Sequence, residues 1–142
     1  MNIKIIANNI KLNTATNGAL KEYGKRLSRY CKFSFLSLKK EKEVVKHLSP
    51  SASIFCLIPS KSTISSEELA EKIKTLGITG HSEIIFFIGF SVEYLENCLA
   101  NGQTMEQISI SSLQFSAPLT SAVLSEQIYR AYRIINKEPY HK

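Results

Sequence analysis

Two short segments, Ser53–Ile58 (SIFCLI) and Glu83–Gly89 (EIIFFIG), are apolar at nearly every position. A strand with one face in water alternates apolar and polar residues; a near-continuous apolar run of this length needs cover on both faces. Parallel sheets receive that cover from helices on either side. Three further β-rich runs bounded by turn residues, Asn2–Ala7 (NIKIIA), Phe33–Leu38 (FSFLSL) and Gln107–Ser111 (QISIS), bring the expected strands to five. The first and last of the five alternate, which predicts places nearer the sheet edges.

Helical patterns lie between the strands. Thr16–Tyr30 puts Leu20, Tyr23, Leu27 and Tyr30 on one face and Lys21, Lys25 and Arg29 on another, a basic amphipathic helix. In Ser65–Leu76, Ser65 or Ser66 caps the start, Glu67 and Glu68 suit the dipole, and Leu69, Ile73 and Leu76 form the apolar stripe. Ser91–Leu99 and Thr120–Asn136 come next, with a weaker helix at Glu41–His47. Strands alternating with helices along 142 residues imply one α/β domain, residues 1–142, with a mainly parallel sheet. Ligands of such folds gather at the carboxyl ends of strands, here the loops after Ile58, Gly89 and Ser111.

Composition removes several classes of function. All 12 acidic residues are Glu, which excludes a Ser-His-Asp triad and a site of paired aspartates. Cys31, Cys56 and Cys98 are scattered and read as structural, so no metal site and no disulfide framework is expected. His47 and His81 have no ligand-spaced partner and read as surface residues. No stretch approaches a membrane span, and the chain is expected to be soluble and cytoplasmic. Residues 1–50 hold eleven of the 18 Lys and Arg against three acids. That asymmetry suits a polyanionic partner or a solvated face.

The C-terminal segment Glu126–Lys142, EQIYRAYRIINKEPYHK, is similar to the C-terminal signature of the large-subunit ribosomal RNA pseudouridine N3-methyltransferases, a SPOUT family. KEYGKRLSRYCKF (Lys21–Phe33), SSEELAEKI (Ser65–Ile73) and the opening NIKIIA agree in order and spacing. The resemblance implies a C-terminal trefoil knot, a homodimer that builds each active site from two chains, S-adenosylmethionine as cofactor, and ribosomal RNA, free or in the ribosome, as partner. The apolar residues of Thr120–Asn136, with Leu119, are expected to supply part of the dimer surface.

By the same resemblance the cofactor loops fall at Cys56 and Leu57, at Gly89 and Phe90, and at Ser111, Ser112, Leu113, Gln114, Phe115 and Ser116. They depart from the family pattern. An Asp and a Gly after the third strand are replaced in the run Cys56–Ser60, one glycine of three remains after the fourth, and Ala117 stands where a His is usual. The Phe90 ring has three courses open to it: occupying adenosine space, stacking on adenine, or packing under the loop. A family member that binds ribosomes without the cofactor is the alternative reading.

Tyr140, His141 and Arg130 are the candidate catalytic residues. His141 is the natural base, Tyr140 a hydrogen-bond partner for the uracil face, and Arg130 a stabiliser of negative charge on the carbonyl oxygens. Lys21, Lys25, Arg29, Lys32 and Arg133 are expected to hold RNA phosphates. As a chain end, the tail is expected to contribute little to folding.

Overall fold

A computed structural model describes residues 1–140. The elements run β1 (Asn2–Asn8), α1 (Thr14–Leu27), β2 (Lys32–Leu38), a 3-10 turn (Glu41–Glu43), α2 (Val44–His47), β3 (Ser53–Leu57), α3 (Ser66–Ile78), β4 (Glu83–Ile88), α4 (Val92–Cys98), β5 (Met105–Ile108) and α5 (Ala117–Ile135). The five strands form one sheet in the order β2-β1-β4-β3-β5, every pairing parallel.

The apolar runs occupy the middle of that sheet. All six residues of β4 are buried, flanked by β1 and β3. Ile3, Ile5, Phe55, Ile84 and Phe86 face a core closed by Leu27 of α1, Leu69 and Ile73 of α3, and Leu124 and Ile128 of α5. Ile6, Ile54, Cys56, Ile85 and Phe87 face a second core closed by Val44 of α2 and Leu95 of α4. Helices therefore cover both faces, as the parallel hydrogen-bonding pattern requires. Helix α5 packs against both α1 and α3, at the centre of its layer.

Caps fix where the helices start. Asn13 and Thr16 form a reciprocal capping box on α1, two residues ahead of the start expected from the apolar stripe. Ser65 caps α3 and Glu68 returns the bond. Ser116 caps α5, so that helix begins at Ala117, with Pro118 in its first turn.

Two strand placements differ from expectation. β1 lies inside the sheet between β2 and β4, and its alternation has another cause. Lys4, half-buried, pairs with Glu83 of β4 at 2.9 Å, and Ile3 and Ile5–Ala7 around it are buried. β5 is an edge strand as expected, but it ends at Ile108, where its pairing with Leu57 of β3 ends. Ser109 then turns inward, its hydroxyl donating to the Ser111 carbonyl at 2.8 Å.

Candidate active site

The loops that leave β3, β4 and β5 enclose a cavity of about 280 Å3 at the carboxyl ends of the strands. Leu57, Ile58 and Pro59 form one wall, Ile88, Gly89 and Phe90 the second, and Ile110, Ser111, Leu113, Gln114 and Phe115 the third; Ala117 and Thr120 of α5 close it. The volume is at the small end for a cofactor site, roughly 300 Å3 and above. Backbone hydrogen bonds tie the first and third walls together. Ile58 N–H donates to the Ile108 carbonyl at 3.0 Å, Ser60 N–H to Ser111 at 3.3 Å, and Ile64 N–H to Ser109 at 2.8 Å.

Gly89 sits at φ +82°, a conformation that glycine adopts without the penalty paid by L side chains. Space is not the constraint there, since a Cβ would meet only ordinary contacts with Asn8 and Ala117. The turn is held from outside: Asn8 Nδ2 donates to the Gly89 carbonyl at 3.2 Å and to Glu41 Oε1 at 2.9 Å.

The Phe90 ring packs under the loop. The residue is 6% exposed, and its ring stands edge-on to Phe87 with centroids 5.5 Å apart, within the α2–α4 core. Cys56 is fully buried in the same core and does not line the cavity; burial raises its thiol to about 11. Ser112 is exposed and Ser116 is spent on the α5 cap, and neither lines the cavity. Ile110 and Thr120, which nothing in the strand pattern singles out, do line it.

Among the described residues no lining side chain carries a charge, and Ser111, Gln114 and Thr120 are its polar ones; Ser111 Oγ accepts from the Leu113 N–H at 2.9 Å and the Thr120 hydroxyl donates to the Ser116 carbonyl at 2.9 Å. This donor set fits a nucleoside cofactor: apolar walls for a base, hydroxyl and amide groups for a ribose, and strand-end backbone close by. The lost acidic residue is not replaced by another carboxylate among the lining residues.

The tail residues assemble elsewhere. Tyr140 donates its hydroxyl to Glu126 Oε1 at 2.8 Å, and the Arg130 guanidinium, paired with the same carboxylate at 3.2 Å, lies 4.3 Å over the Tyr140 ring. Tyr129 meets Tyr140 edge-on at 5.3 Å. Burial first, and then the hydrogen bond to Glu126, hold the Tyr140 phenol well above its ordinary value. Tyr140 is thus a hydrogen-bond donor at neutral pH and not a base. His141 lies outside the described residues. The tail is anchored more firmly than expected for a chain end.

Arg133 is only 18% exposed at its side chain, and its guanidinium faces Glu138, the Pro139 carbonyl and the Tyr30 hydroxyl. It does not present an open fork to a phosphate. Lys21, Lys25, Arg29 and Lys32 are exposed as expected. Arg29 lies 5.2 Å from the Tyr30 ring centroid, so the basic stripe borders the tail. Arg26, absent from the expected stripe, also borders it, 5.6 Å from the Tyr129 ring centroid. Arg26 and Glu126 are each held by an ion pair one helical turn away, to Glu22 and Arg130, while the approach of Arg26 to Tyr129 and of Glu126 to Tyr140 comes from tertiary packing that leaves no mark on the sequence.

A parallel α/β domain with an uncharged crevice at the carboxyl ends of its strands has the architecture in which open α/β proteins bind their ligands. The chain belongs to the SPOUT methyltransferase family: the family model described as "Predicted SPOUT methyltransferase" matches residues 1–141. It is 40% identical over 142 residues, spanning both chains completely, to ribosomal RNA large subunit methyltransferase H 1 of Thermoanaerobacter sp. (strain X514). It is also 35% identical over 161 aligned residues, again spanning both chains, to ribosomal RNA large subunit methyltransferase H of Clostridium botulinum (strain 657 / Type Ba4). Among solved structures, a probable methylase family protein from Haemophilus influenzae Rd KW20 shares the fold, with a TM-score of 0.54 at 12% identity over 99% of this chain and 70% of that one.

Proposed function

We propose that this protein transfers a methyl group from S-adenosylmethionine to N3 of a pseudouridine in large-subunit ribosomal RNA, acting in the cytoplasm as a knotted homodimer. The observation that carries the proposal is the joint presence of an open crevice at the strand ends and an intact Tyr140–Glu126–Arg130 cluster in a chain whose full-length relatives are named for this RNA. The inward packing of Phe90 speaks against the reading in which cofactor binding has been lost.

The cofactor supplies an electrophilic methyl group on a sulfonium. Ser111, Gln114 and Thr120 would hold its polar groups, and Leu57, Ile58 and Leu113 its base. The acceptor nitrogen is protonated at neutral pH and must lose that proton as the N–C bond forms. Arg130 stabilises the charge that develops on the adjacent carbonyl oxygens, and Tyr140 orients the ring by hydrogen bonding. By the family resemblance, His141 accepts the proton. Lys21, Lys25, Arg29 and Lys32 contribute phosphate contacts, hence affinity more than sequence choice.

Homodimerisation is supported by distance. Thr120 in the cavity wall and Arg130 in the tail cluster are separated by ten residues of α5, roughly 15 Å along the helix axis. One chain therefore keeps the two halves of the reaction apart. A second copy laid across α5 brings its own tail over this cavity, against Leu113 and Leu119, which are 69% and 45% exposed beside it. The knot rests on the family to which the chain belongs.

The test is transfer itself. Ribosomes lacking the modification are incubated with the protein and isotopically labelled S-adenosylmethionine, and the RNA nucleosides are analysed by mass spectrometry. N3-methylpseudouridine from the large subunit is expected; label on another nucleoside would reassign the substrate.

A further inference from the structure

The chain does not run on from the end of α5. Lys137 adopts φ +54°, a left-handed conformation unfavourable for a residue with a Cβ, and turns the tail back along the helix. The Glu138 N–H closes the turn on the Arg133 carbonyl at 2.8 Å. The Arg133 side chain then grips Glu138 and Pro139. Its Nε donates to the Pro139 carbonyl at 3.1 Å and its Nη2 to the same oxygen, while Nη1 reaches Glu138 Oε2 at 3.2 Å and the Tyr30 hydroxyl at 3.3 Å. Tyr30 in turn donates to Glu138 Oε1 at 2.7 Å. Its ring is fixed from behind by stacking on Tyr132, with centroids 5.5 Å apart and planes 14° apart.

We propose that Arg133, Glu138 and Tyr30 form a latch between the α1–β2 turn, α5 and the tail, and that Arg133 is a positioning residue for Tyr140 rather than a phosphate ligand. A guanidinium has five N–H donors in a rigid fork, and most of the fork is already committed to the tail. The latch spans the two residues immediately before Tyr140, so it sets where the phenol meets Glu126 and Arg130. Lysine, a point charge on a flexible stem, cannot hold the carbonyl and the carboxylate together. The latch stands on this geometry alone; its effect on transfer rests on the methyltransferase reading.

Two measurements on the full chain test it. Amide hydrogen exchange reads the latch directly: Arg133→Met speeds exchange at Glu138, whose N–H is bonded to the Arg133 carbonyl, by about 10-fold or more, Tyr30→Phe and Arg133→Lys less, with the central strands unaffected. Unchanged tail protection in all three variants overturns the proposal, whatever the activity. Single-turnover transfer to ribosomes reads the role. Arg133→Met lowers the maximal rate about 10-fold with half-saturation and salt dependence unchanged, and adds little further loss in a Tyr140→Ala background. A raised half-saturation point, a salt slope reduced by about one, and losses that multiply with Tyr140→Ala would make Arg133 a phosphate ligand after all. Should the parent chain transfer no methyl group, the methyltransferase reading fails and the exchange data alone decide the latch.

Discussion

Tyr140 and Glu126 are fourteen residues apart in the chain and 2.8 Å apart in space, the phenol donating to a carboxylate that also holds Arg130. A chain end tied in this way is part of the fold. Tyr140→Phe keeps the ring under Arg130 and removes only the donor. It is expected to cost about 1 kcal/mol in urea denaturation and to slow transfer about 10-fold or more while leaving cofactor affinity unchanged. Equal loss of transfer and of cofactor affinity would place Tyr140 in cofactor binding instead.

Phe90 is a core residue beneath the loop that follows β4. Phe90→Ala is therefore expected to destabilise the protein by about 3 kcal/mol without tightening S-adenosylmethionine binding. If calorimetry found binding strengthened several-fold and stability nearly intact, the ring would instead be obstructing the cavity in solution.

The thiols of Cys31 and Cys56 are both raised by burial from their ordinary value near 9 to about 11. Because the folded values lie above the unfolded ones, the stabilisation is complete below about pH 8.5 and is lost as pH rises toward 11. Urea midpoints should fall between pH 8.5 and pH 10.5, and by less in a Cys31→Ser Cys56→Ala double variant. An identical fall in both proteins would assign the pH dependence to other groups.

The fold is legible where burial dictates residue type. β4, buried at all six positions, allows no reading except a covered strand, and the capping pattern of Ser65 and Glu68 marks the start of α3. β1 reads as nearer an edge than it is because Lys4 imitates a solvent-facing position while pairing with Glu83 across the sheet. The cavity loops are legible in outline, but Cys56 does not belong to them, since its side chain points to the opposite face. Alternation along a strand gives two faces and not which one a loop later closes over. The fold-back of the tail leaves no local signal, since it turns at Lys137 and is held by Tyr30, more than a hundred residues earlier.

Lys21, Lys25, Arg29 and Lys32 are exposed cations, to which we assign RNA affinity and no part in catalysis. Lys21→Ala with Lys25→Ala should raise the ribosome concentration for half-maximal transfer several-fold and flatten its dependence on salt, with the maximal rate preserved. An unchanged salt dependence would return these residues to a merely solvated face.

The central claim is that a crevice stripped of the family's acidic residue and of three of its glycines still holds the cofactor. Titration of the purified protein with S-adenosylmethionine by calorimetry tests it most directly. Saturable binding near one cofactor per chain, at micromolar to sub-millimolar affinity and weakened by Gly89→Val, is the predicted result; no heat and no thermal shift at millimolar S-adenosylmethionine would contradict it.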